Sequence, residues 1–158
     1  MWHAGADQRV LGYLGRALSL ELTAVQQYST QARLAAVWGL ADAAARLRAE
    51  ADDEMGHVDR IVARMLALGC APGASQLRPV RLGKSLAELL HADQFMETEI
   101  QQLYGEAVTY CTRIADHDNR VFFQAILDEE RAHGEELARW IETLTSPAGE
   151  PTLERATF

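Results

Sequence analysis

Apolar residues return along most of the chain in alternating steps of three and four, the period of helices that each bury one stripe. From about Asp7 to Val37 the stripe reads Leu14, Leu18, Glu21, Val25, Tyr28 and Ala32. From about Leu40 to Leu68 it reads Leu47, Glu50, Glu54, His57, Ile61, Met65 and Leu68. A third stripe, from about Ser85 to Arg113, carries Leu86, Leu90, Asp93, Glu97, Ile100, Tyr104, Val108 and Cys111. The fourth, from about Asp118 to Thr145, carries Phe123, Ile126, Glu130, His133, Leu137, Trp140 and Leu144. Nothing alternates as a strand does, so the pattern predicts an all-α four-helix bundle.

The links arrange these helices. Short connections near Trp38 and near His117 make the first two helices one antiparallel hairpin and the last two another. Residues 69–84 hold two of the four prolines and are too long for a tight turn. They cross the length of the bundle, which sets the second and third helices parallel. Asp42, Ser85 and Asp118 are read as the N-caps of the last three helices. The bundle is expected over residues 1–145. Pro147, Gly149 and Pro151 stop the fourth helix, so residues 146–158 are expected to form a non-helical or disordered tail without a fifth helix.

Composition narrows the partners. A chain of 158 residues fits one domain, and 15 basic against 23 acidic residues leave a net charge of −8 with no basic run. That surface suits cations better than nucleic acid or an anionic membrane. The start has neither the basic region nor the apolar stretch of a signal peptide, and no window is apolar enough to span a bilayer. A cytoplasmic protein is expected. Cys70 and Cys111 lack a CxxC spacing and read as ordinary thiols.

Six residues on the apolar stripes do not belong in oil: Glu21, Glu54, His57, Glu97, Glu130 and His133. A buried, unpaired carboxylate costs several kcal/mol, and no Lys or Arg recurs on those stripes to offset it. Divalent cations would. Glu54 with His57, and Glu130 with His133, are i, i+3 pairs that project from one helix face toward one point. Glu54 follows Glu21 by 33 residues, as Glu130 follows Glu97, and the halves repeat at an offset of 76 that also relates Tyr28 to Tyr104. One Glu from each of two helices and one Glu-x-x-His from each of the other two is the donor set with which bundle cores hold two iron or manganese ions. Met55 lies about 100° around the second helix from Glu54 and so points sideways.

These residues stand in 19-SLELTAVQQY-28, 37-VWGL-40, 53-DEMGHVDRI-61, 67-ALGCAP-72, 92-ADQFMETE-99 and 128-DEERAH-133, and on them the chain resembles a bacterioferritin, the haem-containing branch of the ferritin-like superfamily. The resemblance runs without a gap from about Val10 to Leu144. It implies a ferroxidase in which Glu21, Glu54, His57, Glu97, Glu130 and His133 are both the catalytic and the metal-binding residues, a di-iron centre that oxidises Fe(II) with O2 or H2O2 and passes Fe(III) to storage. It implies also that Met55, with its copy across a twofold axis, ligates haem b, in a homo-oligomer that is at least a dimer and in the family a 24-subunit shell. Tyr28 would be a nearby electron source, and Glu50 and Asp53 lie near positions used for iron on the inner surface.

Some positions depart from that pattern. Ser29 and Asp52 stand where the family has bulky apolar groups around the haem, Glu136 stands where a tryptophan is common, with Trp140 one turn later, and the tail is expected to lack the helix that lines fourfold pores. His3, His91 and His117 have no partner at ligand spacing. Two other readings use the same residues. One is a small-oligomer di-iron oxidase or peroxidase acting against oxidative stress; the other is a haem-binding dimer or regulatory subunit centred on Met55.

Overall fold

The computed structural model describes residues 5–146; His3 and all of the expected tail but Ser146 lie outside them. Four helices follow in order: α1 (Gln8–Val37), α2 (Ala41–Ala67), α3 (Leu86–Arg113) and α4 (His117–Thr145). No helix among the described residues is long and apolar enough to cross a membrane.

Three helix starts have side-chain caps. Asp7 accepts from the amides of Arg9 and Val10, Ser85 from that of Glu88, and Asp116 from that of Asn119. Two expected caps are displaced. The N-cap position of α2 is Leu40, which makes no side-chain bond, and Asp42 lies inside the first turn. Asp118 likewise lies in the first turn of α4, two residues beyond Asp116. Both carboxylates still face the positive end of a helix dipole, so the charge is used without the cap. Gly39 and Gly69 take the left-handed conformation that closes α1 and α2, at φ 78° and 75°. Ala115 does the same at φ 57° after α3, where a side chain makes that conformation costly.

Contacts between helices fix their directions. Tyr28 meets Glu97 while Tyr104 meets Glu21, so α1 and α3 are antiparallel. Arg64 meets Asn119 and Glu54 meets His133, so α2 and α4 are antiparallel as well. With two antiparallel hairpins, α2 and α3 must run the same way, as the long link requires. That link lies along α1 and is fastened to one face of it. Ser19 and Thr23 accept from the amides of Gln76 and Arg78, Gln27 accepts from the amide of Arg81, and Gln31 donates to the Arg81 carbonyl. These four polar residues recur every four positions, a second stripe beside the apolar one.

Leu14, Leu47, Ile61, Leu90, Ile100, Tyr104, Phe123 and Ile126 fill the core. Val25, Leu68, Val108 and Leu144 of the expected stripes are only partly buried, and Ala24 and Ala107 are buried beside two of them. A straight helix turns slightly more slowly than a strict heptad, so the buried face drifts off the stripe toward the C-terminal ends of α2, α3 and α4, where Leu68, Val108 and Leu144 lie.

Candidate metal centre

Glu21, Glu54, Glu97 and Glu130 are 0–1% exposed and His57 3%, in the middle of the bundle. The i, i+3 spacing on α2 and α4 brings each imidazole over its own carboxylate, and α1 and α3 contribute one glutamate each. Ligand atoms of Glu21, Glu54, His57 and Glu130 lie within 4.8 Å of one another, as do those of Glu54, Glu97, Glu130 and His133. Glu54 and Glu130 belong to both groups. Two adjoining four-residue sites that share two carboxylates are the result.

Both imidazoles turn Nδ1 inward. His57 Nδ1 is 2.8 Å from Glu130 Oε1, 3.0 Å from Glu54 Oε2 and 3.6 Å from Glu21 Oε1. His133 Nδ1 is 3.3 Å from Glu54 Oε1 and 3.6 Å from Glu130 Oε2. The rings stack at 5.8 Å, tilted by 24°. The outer glutamates are each held by one oxygen: Tyr28 donates to Glu97 Oε1 and Tyr104 to Glu21 Oε1. The oxygens of Glu130 are approached by the two imidazoles, and Glu21 Oε2 and Glu97 Oε2 are buried without a hydrogen bond. Such atoms are rare unless a ligand takes them up, and a cation between the carboxylates is the ligand their charge demands.

Electrostatics say the same. Burial, and then neighbouring carboxylates, push Glu21 and Glu97 well above the usual range. Burial opposes charge on His57, but Glu130, Glu21 and Glu54 outweigh it and raise its pKa. Glu130 and Glu54 push His133 up to about 11. Glu130 is driven below the usual range by His133 and His57 in spite of its burial. With both imidazoles raised, a divalent ion binding among these residues would displace protons from them.

The 76-residue repeat is broken in its surroundings. The outer nitrogen of His57, Nε2, is 2.8 Å from Glu129 Oε2, and Arg60 Nη1 grips both Glu129 oxygens at 2.9 and 2.7 Å. The repeat counterpart of Glu129 is Asp53, and Asp53 Oδ2 does approach the outer nitrogen of His133, at 3.8 Å. The counterpart of Arg60, however, is Glu136, so no guanidinium holds Asp53. Glu50 Oε2 lies 4.0 Å from His133 Nδ1, and a small cavity lined by Tyr28, Arg46, Glu50, His133, Leu137 and Trp140 adjoins it. Arg46 covers the Trp140 ring at 3.9 Å. The His57 half is therefore closed and clamped, whereas the His133 half is more open, its side chain 15% exposed.

Met55 is 50% exposed on the flank of α2, its thioether free of this chain's core. Ser29 is half-buried and Asp52 exposed; His91 and His117 are exposed. Cys70 and Cys111 are both free. Sequence reasoning missed Glu129, whose position could have been found as the repeat mate of Asp53. It also passed over Asp93, fully buried on the α3 stripe, whose Oδ1 accepts from Gln27 at 2.8 Å. Burial pushes Asp93 up to about 7.

Comparison with known proteins places this geometry. The family described as Ferritin-like domain matches residues 11–146. Bacterioferritin of Rhodobacter capsulatus is 39% identical over 127 residues, 80% of this chain and 79% of that one. Bacterioferritin of Mycolicibacterium paratuberculosis is 32% identical over 138 residues, 87% of each. The 2.6 Å structure of the Rhodobacter capsulatus protein, described with a metal-free dinuclear site and haem iron in a crystallographic special position, superposes with a TM-score of 0.87 at 35% identity, covering 97% of both chains.

Proposed function

The chain belongs to the ferritin-like family and, within it, to the bacterioferritins, and on that premise we propose that it oxidises Fe(II) to Fe(III) at the centre between its four helices, for iron storage and detoxification. The observation that carries the reading is the pair of four-residue groups sharing Glu54 and Glu130. Four carboxylates balance the charge of two divalent ions, and their hard oxygens favour iron further in its ferric state. The ions themselves supply electrons to O2 or H2O2.

Each residue then has a task. Glu54 and Glu130 span the two positions. Glu21 with His57, and Glu97 with His133, complete one position each. Tyr28 and Tyr104 fix the outer glutamates by one oxygen and leave the other without a hydrogen bond, where it would be available to an ion. Glu129, itself held by Arg60, fixes the His57 ring so that Nδ1 faces inward. Apolar walls exclude bulk water, which strengthens every one of these interactions. The more open His133 half, with Glu50 and Asp53 beside it, is the side on which iron would exchange.

Met55 suits haem b, because a thioether that this chain leaves exposed can meet its copy at a twofold axis. We infer a homo-oligomer built on that dimer, with a 24-subunit shell as its storage form, and a cytoplasmic location as the sequence suggests. Anaerobic protein given Fe(II) and then O2 should oxidise it rapidly, and Glu54→Ala or His133→Ala should abolish the fast phase. Oxidation by those variants at the parent rate would refute the assignment. Native mass after iron loading tests the shell: a persistent dimer without mineral excludes storage.

A further inference from the structure

Tyr104 begins a line of rings that leaves the centre and ends near the surface. It is fully buried and donates to Glu21. Its ring is 6.3 Å from Phe123, Phe123 is 6.4 Å from Tyr13, and Tyr13 is 5.9 Å from the half-buried Tyr110. At the far end the Tyr110 hydroxyl donates to both carboxylate oxygens of Asp7, at 3.2 and 3.1 Å.

Aromatic pairs at such separations are ordinary core packing, so the separations alone assign nothing. The ends carry the assignment. Each terminal phenol is paired with a carboxylate able to take its proton when an electron leaves and return it afterwards, whereas in the interior Phe123 has no proton to lose and the Tyr13 hydroxyl meets no carboxylate among the described residues. Arg9 lies over the Tyr110 ring at 4.7 Å and Arg113 at 5.2 Å, and Arg16 lies over Tyr13 at 4.7 Å. A ring beneath a guanidinium resists added positive charge. Oxidation of Tyr110 therefore requires its proton to leave, and Asp7 is in place to receive it.

We propose that Tyr104, Phe123, Tyr13 and Tyr110 form a relay that carries single electrons from the surface to the candidate iron centre, and so removes oxidising equivalents from a half-filled centre. The relay rests on the ferroxidase reading. Hydrogen peroxide needs two electrons for cleavage of its O–O bond to two waters, and a lone Fe(II) supplies one. Tyr104 supplies the other: H2O2, Fe(II), the phenol and one further proton give two waters, Fe(III) and a neutral phenoxyl. The phenoxyl of Tyr104 then takes an electron from Tyr110 across Tyr13 and Phe123. Tyr104 regains a proton through Glu21, and Tyr110 gives its own to Asp7. A one-electron reductant of the ascorbate class, with a proton, restores Tyr110 from solvent.

The test loads the whole protein with one Fe(II) per chain, mixes it with hydrogen peroxide, and freezes samples in time for EPR, with Mössbauer spectra of the same samples reporting iron oxidation. The parent should show a tyrosyl signal that settles on Tyr110, assigned by its loss in Tyr110→Phe. In Tyr110→Phe the radical should stay on Tyr104 and live longer; Tyr13→Leu should slow its arrival at Tyr110; Tyr104→Phe should lose the Tyr110 signal. Oxidised iron without any tyrosyl signal, an unchanged Tyr110 signal in Tyr104→Phe, or a radical confined to Tyr28 overturns the relay alone. Failure of the parent to oxidise iron overturns the ferroxidase reading and the relay with it. Should Tyr104→Phe not fold, Tyr110→Phe decides, because an unaltered radical lifetime in that variant contradicts the relay.

Discussion

Asn at position 93 would remove one buried titratable group and leave its shape. Asp93 is fully buried, accepts from Gln27 at 2.8 Å through Oδ1, and leaves Oδ2 without a partner. Burial lifts its pKa from 3.8 to about 7, so the folded chain binds this proton more tightly than the unfolded chain. The sign follows: protonated Asp93 adds stability in acid, and that contribution disappears as pH rises through about 7. At 1.36 kcal/mol per unit, a shift of that size amounts to about 4 kcal/mol in full, of which roughly 3 kcal/mol is lost between about pH 5 and 8. Asp93→Asn keeps the acceptor for Gln27 and titrates nowhere in this range. Urea unfolding of metal-free parent and variant from pH 5 to 8 should therefore show the variant gaining on the parent by about 3 kcal/mol as pH rises, other groups cancelling in the difference. A constant offset across that range would mean that Asp93 is not a buried acid with a raised pKa.

Other variants probe the centre and its frame. Glu129→Ala should weaken metal binding about 10–100-fold at the His57 position by freeing the ring, seen by Co(II) titration; equal affinities would leave Glu129 no positioning role. Met55→Leu should lose the Soret band after haem addition without changing iron oxidation, and a surviving band would remove Met55 as ligand. Ala115→Gly should stabilise the chain by about 1 kcal/mol, because the left-handed turn after α3 then carries no side-chain cost; thermal unfolding measures it. Saturation with Co(II) should raise the melting temperature while releasing protons from His57 and His133, and binding without proton release would contradict their raised pKa values.

The helices and the donor set were legible because one physical demand governs both: a residue on a core step must be apolar or compensated. Glu54 and His57 stood out against Leu47, Ile61 and Met65 for that reason, and the repeat doubled the signal. Polar residues that bond to backbone are silent by the same rule. Ser19, Thr23, Gln27 and Gln31 recur every four residues, yet only the fold reveals that the crossover link is what they hold. Asp93 sat on a stripe without the i, i+3 histidine that marks Glu54 and Glu130. Glu129 is adjacent to a core position, so period alone assigns it to solvent; its contact arises because α4 brings it against His57 on α2. The sequence pattern points to Asp118 as the cap of α4, and the left-handed turn at Ala115 sets the helix start so that Asp116 takes that place.

The central claim is that the four helices build two adjoining iron positions joined by Glu54 and Glu130. Stopped-flow oxidation of Fe(II), titrated stepwise against metal-free protein, tests it most directly. The fast phase should saturate at two Fe(II) per chain in the parent and vanish in Glu130→Ala, which loses a residue common to both groups. Saturation at one, or a fast phase that survives Glu130→Ala, would contradict a shared two-metal centre.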